Sequence, residues 1–140
     1  MQISSVQFNF EGTEVLTGSI DTSARIWDVR TGQCMSIKEG HSDEVLDVCY
    51  NASGSQLATA SSDSTVRVYD TGSGALLHSL QGHTGEVSKV CSNRSARLAL
   101  QAHQRVHPRK NSSAIGWQVM SVLPGVCVVH LLRASARVCR

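Results

Sequence analysis

Residues 40–70 read GHSDEVLDVCYNASGSQLATASSDSTVRVYD, and this stretch decides the fold. After Gly40-His41 it enters a β-rich run, Val45-Leu-Asp-Val-Cys-Tyr50. Asn51-Ala-Ser-Gly54 then supplies a turn, since Gly takes a positive φ without steric cost. Residues 56–60 form a short second strand. Asp63-Ser-Thr65 is the next turn, where an Asp carboxylate accepts backbone N–H groups. Residues 65–69 alternate Val66 and Val68 with polar or larger neighbours, as a strand does. Gly72 and Gly74 punctuate a third turn, and residues 75–80 read as a fourth strand.

Shifted by 42 residues, this stretch matches the sequence on either side of it without a gap. Upstream, Gly12 meets Gly54, Thr17 meets Thr59, Ser19 meets Ser61 and Asp21 meets Asp63. Arg25 meets Arg67, Trp27 meets Tyr69 and Asp28 meets Asp70. Downstream, Gly40-His41 meets Gly82-His83, and Glu44-Val45 meets Glu86-Val87. Four short strands in about 42 residues is the length of one β-propeller blade.

GHSDEV at 40–45, TASSD at 59–63 and RVYD at 67–70 resemble the WD-repeat pattern. TGSID at 17–21 with RIWD at 25–28 is closer still, because Trp27-Asp28 is the dipeptide that names that family. The resemblance covers residues 3 to about 93 and implies an all-β fold, a partial propeller of about two four-stranded blades. Its boundaries fall at 3–42 for the first blade, 43–84 for the second and 85–93 for the start of a third. In that family a His, a Ser/Thr, an Asp and a Trp form a buried hydrogen-bond relay. Carried over residue by residue, the positions are His41, Ser61, Asp63 and Tyr69. The first copy offers Ser19, Asp21 and Trp27 but no His, and the third offers His83 without partners. A tyrosine where Trp is expected replaces an indole N–H by a phenol O–H, so the relays are expected to be weaker than the family norm.

Beyond residue 93 the pattern stops. A third blade needs Gly near 96, Ser near 103, Asp near 105 and Trp near 111; the sequence has Ala96, His103, Arg105 and Asn111. The charge switches at the same place. The first 90 residues hold all eleven acids and five basic residues, a net −6, and the last 50 hold eight basic residues and no acid. The formal net charge of +2 is the sum of two unlike segments. Residues 94–140 therefore read as a basic, largely irregular, non-homologous tail, and the whole as a piece of a longer propeller with open edges and poor independent stability.

No catalytic constellation emerges. Ser61 and Ser62 lack a nucleophile elbow, and Thr71-Gly-Ser-Gly74 lacks the Lys of a phosphate loop. His103 and His107 have no nearby carboxylate, and the five cysteines contain no CxxC pair, so neither a metal nor another cofactor is expected. Cys49 and Cys91, 42 apart, read as small core fillers. The apolar-leaning run 117–132 is short and broken for a membrane span. The first ten residues lack a charged n-region and a long apolar core, so the expectation is a protein of the reducing cytoplasm.

What remains is a non-catalytic scaffold that binds other proteins through rim loops, with Ile20, Glu39, Asp43, Glu44, Ser62 and Glu86 as candidate contacts. These loops are acidic or polar and suit a basic partner surface. No small-molecule substrate is expected, and nucleic acid and membrane are disfavoured as partners. The alternative is nucleic-acid or acidic-surface binding by the basic tail, or a generic scaffold of another complex. Asp43-Glu-Val-Leu-Asp47 and Gly85-Glu-Val-Ser-Lys89 also resemble the late blades of the WD-repeat dynein assembly factors. That resemblance implies an adaptor role, with outer-arm dynein and intraflagellar transport components as partners and the cilium or flagellum and its base as location.

Overall fold

The computed structural model describes residues 2–92, 100–105 and 117–122. They form eleven strands and no helix, in three antiparallel sheets. The first sheet takes β1 (Ile3–Phe8), β2 (Glu14–Ser19), β3 (Ala24–Asp28) and β4 (Cys34–Lys38) in that order. The second takes β5 (Val45–Tyr50), β6 (Gln56–Ser61), β7 (Val66–Asp70) and β8 (Leu76–Leu80). Each is a meander, the arrangement expected of strands joined by short turns.

The two sheets repeat down to their irregularities. β1 and β5 each carry a register shift after their first residue, between Ile3 and Ser5 and between Val45 and Asp47. Such a bulge resets the side-chain alternation. It explains why Val45 and Val48, an odd number of positions apart, are both buried against the first sheet. The β3–β4 and β7–β8 pairings shift register at Ile26/Trp27 and Val68/Tyr69, where Met35 on β4 and Leu77 on β8 are the extra residues. The repeat in sequence is a repeat in backbone.

The second sheet is buried on both faces. One face presents Val45, Val48, Tyr50, Leu57 and Tyr69 to Leu16, Ala24 and Ile26 of the first sheet. The other presents Cys49, Ala58, Ala60, Val66 and Val68 to Val87 and Val90 of β9 (Val87–Ser92). Small residues sit on the second face and larger ones on the first, so the layers interdigitate.

The first strands of successive sheets run side by side and in the same direction. Ser5 Oγ donates to Asp47 Oδ1 at 2.7 Å, and Tyr50 N donates to Gln7 Oε1 at 2.7 Å. Val90 N donates to Asp47 Oδ2 at 3.0 Å, and Ser92 Oγ donates to Tyr50 O at 2.8 Å. The Asp47 carboxylate thus bridges both of its neighbours, and Ser5, Asp47 and Lys89 occupy the same repeat position.

The third sheet contains an element the sequence reading did not. β10 (Leu100–Arg105) pairs with β9, and β11 (Trp117–Val122) pairs with β10. Both come from the stretch expected to be largely irregular. The rest of 94–140 lies outside the described residues, including His107, most of the run 117–132 and the basic residues of the extreme C-terminus. Among the described residues no helix is long and apolar enough to cross a membrane.

Candidate functional site

The turn between β6 and β7 is built around Asp63. Its Oδ1 accepts from Thr65 N at 2.9 Å and from Thr65 Oγ1 at 2.6 Å. Its Oδ2 accepts from Ser42 N at 3.1 Å and from His41 Nδ1 at 2.8 Å. These bonds hold Ser64 in the left-handed region at φ 69°, and the same turn in the first sheet holds Thr22 at φ 71°. Burial opposes the charge on Asp63, but the bonds from Thr65, His41 and Ser42 outweigh it and keep the carboxyl at about 2.

His41 is buried between two elements. Burial pushes its pKa below 6.5, and this outweighs the pull of Asp63 toward the charged form. The ring is therefore neutral at pH 7. A carboxylate can only accept, so Nδ1 carries the proton, and Nε2 accepts from Thr59 Oγ1 at 2.7 Å. The chain Thr59–His41–Asp63 ties the loop after β4 to strand β6 and to the β6–β7 turn. A charge-assisted bond of this kind contributes about 1.5–3 kcal/mol.

The hydroxyl in this chain belongs to Thr59, where the sequence reading placed Ser61. Ser61 Oγ instead accepts from Asp63 N at 3.1 Å and donates to Asp43 O at 3.1 Å. Both side chains are buried on β6, two residues apart and so on one face, and only the depth of the imidazole decides between them. Tyr69 also stands outside the chain. Its phenol donates to Glu39 O at 3.3 Å.

The first sheet shows what the motif does without its histidine. Trp27 Nε1 donates to Thr17 Oγ1 at 2.9 Å, and Thr17 is the counterpart of Thr59. Ser19 Oγ accepts from Asp21 N at 3.2 Å and donates to Gln2 O at 3.0 Å, as Ser61 does one repeat later. Asp21 accepts from Ser23 Oγ at 2.5 Å and, in place of an imidazole, from Arg25 Nη1 at 3.0 Å. The Ser23 bond is the main cause that holds its carboxyl at about 2, with Arg25 adding to it. In the second sheet the corresponding Arg67 lies against Gly40, at φ +124°, where a Cβ would come within 2.1 Å of its Nη1. Arginine and histidine thus alternate as partners of the turn aspartate. His83 opens the third copy and is half-buried; the positions 42 beyond Thr59 and Asp63 are Gln101 and Arg105.

The same bonds gather the candidate contact loops at one end of the strands. Ser62 N donates to Glu44 O at 3.0 Å, and Ile20 N donates to Gln2 O at 3.1 Å. Because β1, β5 and β9 run in the same direction, residues 20–23, 39–44, 62–65 and 81–86 share one rim. Glu39, Asp43, Glu44 and Ile20 are exposed there, and Ser62 and Glu86 are half-exposed. Asp21 is paired with Arg25, whereas Asp63 keeps its charge beside the neutral His41 but is turned inward, so the outward-facing acids of this rim are Glu39, Asp43, Glu44 and Glu86.

Residues 1–28 and 32–70 match the family model described as WD domain, G-beta repeat. These two segments are WD repeats. A 38-residue stretch is 40% identical to WD repeat-containing protein pop1 of Schizosaccharomyces pombe (strain 972 / ATCC 24843). That stretch is 27% of this chain and 5% of pop1, so the match covers a small part of that protein's length. The WD repeats account for the two four-stranded sheets and their turns. No grouping of three His, Cys, Asp or Glu side chains that could hold a metal ion occurs among the described residues.

Proposed function

We propose that this chain is a non-catalytic protein-interaction scaffold whose WD repeats present an acidic rim to a basic partner surface. The observation that carries the reading is the convergence of Glu39, Asp43, Glu44 and Glu86 on one end of the strands, beside the inward-turned but still charged Asp63, while Asp21 is paired with Arg25. Nearly every buried polar group of the rim has a structural role: His41 holds the turn, and Ser19 and Ser61 hold the loops. The hydroxyl–imidazole–carboxylate chain here, Thr59–His41–Asp63, is closed off from solvent, with Thr59 only 1% exposed, so its hydroxyl is not presented to a substrate.

The finer reading is an adaptor for outer-arm dynein and intraflagellar transport components, acting in the cytoplasm and at the cilium or flagellum. It is supported by the resemblance of Asp43-Glu-Val-Leu-Asp47 and Gly85-Glu-Val-Ser-Lys89 to the WD-repeat dynein assembly factors. Three of the resembling positions, Asp43, Glu44 and Glu86, belong to the acidic rim.

The test is affinity capture from ciliated cells with the full chain and with Asp43→Lys/Glu44→Lys. Both positions are exposed, so the fold is preserved. Recovery of dynein or transport subunits by the parent chain, lost in the double variant, supports the reading. Capture of a different set of proteins through the same two residues keeps the scaffold and removes the dynein assignment. Capture that ignores the rim change but collapses with moderate salt points to the basic tail instead.

A further inference from the structure

Where the first sheet packs on the second, a cleft of about 230 Å³ remains beside the outer strands. Ser36 and Lys38 of β4 line one wall, and the β7–β8 turn, residues 71–74, lines the other. Met35, 57% exposed, and the exposed Ser73 stand at its mouth, so it is reached from solvent. Gly74, at φ +75°, keeps the space open, since a Cβ there would come within 2.8 Å of Lys38 Nζ.

Two polar groups of this cleft are unspent. Lys38 is 5% exposed, yet its ammonium makes one hydrogen bond, to Ser36 Oγ at 3.0 Å, and lies 5.9 Å from the centre of the Tyr69 ring. It has no carboxylate in ion-pair contact among the described residues. An ammonium carries three donors, and burying it is costly unless it is paired. Thr71 also lines the cleft, and its Oγ1 is buried without a hydrogen-bond partner. The repeat demands neither group: Leu80 is the counterpart of Lys38, and Val29 is the counterpart of Thr71. Buried polar groups are ordinarily satisfied, so two unspent donors lining one cleft point to an acceptor that binds there.

We propose that this cleft binds a single carboxylate on a short aliphatic stem, held by Lys38 Nζ and Thr71 Oγ1, with Ile26 and Met35 against the stem. Size limits the ligand to a small group, because sites for drug-sized molecules span roughly 300–1,000 Å³. Charge limits it further. Asp70 is close enough to favour the charged form of Lys38, and Glu14 lines the cleft. Their oxygens are engaged elsewhere, Asp70 Oδ2 by Ser73 N and Oγ at 2.7 Å and Glu14 Oε2 by the Tyr50 hydroxyl at 3.3 Å. A phosphate monoester, at about −1.5 to −2, is repelled by these acids more strongly than a carboxylate is. The same chemistry is offered by a free short-chain acid and by the chain end of a peptide with an aliphatic last residue.

The test is titration of the full chain with butyrate, N-acetyl-leucine and ethyl phosphate at constant ionic strength, followed by NMR at the Lys38 Cε–H signals and the amides of residues 71–74. In the parent both carboxylates shift these signals saturably, a result that does not depend on how any variant folds. Lys38→Met keeps the apolar stem and weakens butyrate binding by at least about tenfold, and Thr71→Val weakens it by about threefold. Thermal melts separate loss of the site from loss of the fold: Lys38→Met melts no lower than the parent, because it removes a buried charge. Tighter binding of N-acetyl-leucine than of butyrate supports the proposal with a peptide chain end as the source, and equal binding supports it with a free acid. Shifts in the parent that do not saturate overturn it. So does butyrate binding that is undiminished in either variant, or ethyl phosphate that binds as tightly as butyrate.

Discussion

Asp63→Ala and Asp21→Ala remove the same residue from the same turn of two successive repeats, and they should not cost the same. Asp63 accepts from Ser42 N, His41 Nδ1, Thr65 N and Thr65 Oγ1. Its loss also strands the buried N–H of His41. Hydrogen bonds to a charged group contribute about 1.5–3 kcal/mol each, and an unpaired buried donor costs about 1–3 kcal/mol. Allowing for water that replaces the exposed part of these bonds, Asp63→Ala is expected to cost about 3–4 kcal/mol. Asp21 binds chiefly Ser23 and Arg25 near the surface, and its loss is expected to cost about 1 kcal/mol. Urea unfolding of the full chain at pH 7, followed by circular dichroism, reads the difference directly. The pH dependence adds a second handle. The Asp63 carboxyl is held at about 2 against an ordinary 3.8, so the charged form stabilises the fold above pH 4 by about 2 kcal/mol. That contribution is lost as pH falls from 4 toward 2, and the gap between parent and Asp63→Ala narrows over the same window. Equal losses for the two substitutions, or a gap that is constant across that window, would refute the role given to the His41–Asp63 pair.

Three further outcomes follow from the repeat comparison. Tyr69→Trp should stabilise the second sheet by about 1 kcal/mol in thermal melts, because an indole N–H placed as in Trp27 reaches Thr59 Oγ1 where the phenol does not. Lys38 is buried at the position that Leu80 fills one repeat later, and burial lowers its pKa, with Asp70 partly opposing; Lys38→Leu should stabilise by about 1–2 kcal/mol at pH 7, and the gain should shrink as pH rises toward 10.5, where the unfolded lysine also loses its charge. Asp47→Ala should cost about 2–4 kcal/mol by urea titration and more than Asp47→Asn, since alanine leaves both Ser5 Oγ and Val90 N without their acceptor.

The strands were legible because turn chemistry and alternation coincide at a fixed period. Residues 56–60 and 65–69 were read within a residue of the observed β6 and β7. The bulges at Ser4 and Leu46 were not legible, since a bulge changes register without changing residue type in any marked way. The hydroxyl of the relay was misassigned for a related reason. Thr59 and Ser61 share a strand face, and nothing in their spacing states how far the imidazole of His41 enters; the one available signal was that Thr17 and Thr59 are themselves a matched pair. β10 and β11 escaped notice because the search there was for blade signatures. Leu100–Arg105 pairs with β9 through its backbone, which needs none of the Gly, Asp and Trp landmarks absent from that stretch.

The bridging carboxylate of Asp47 bears on how this molecule comes apart. A sheet whose charged group is satisfied by Ser5 on one side and Val90 on the other has no self-sufficient state: peel away either neighbour and an ionised oxygen buried in the seam must find water. Sheets in a stacked array can in general melt one after another from an end. Here the first such step carries an electrostatic penalty as well as a loss of packing, so fraying at either end is felt in the middle sheet at once, and the array yields as a unit.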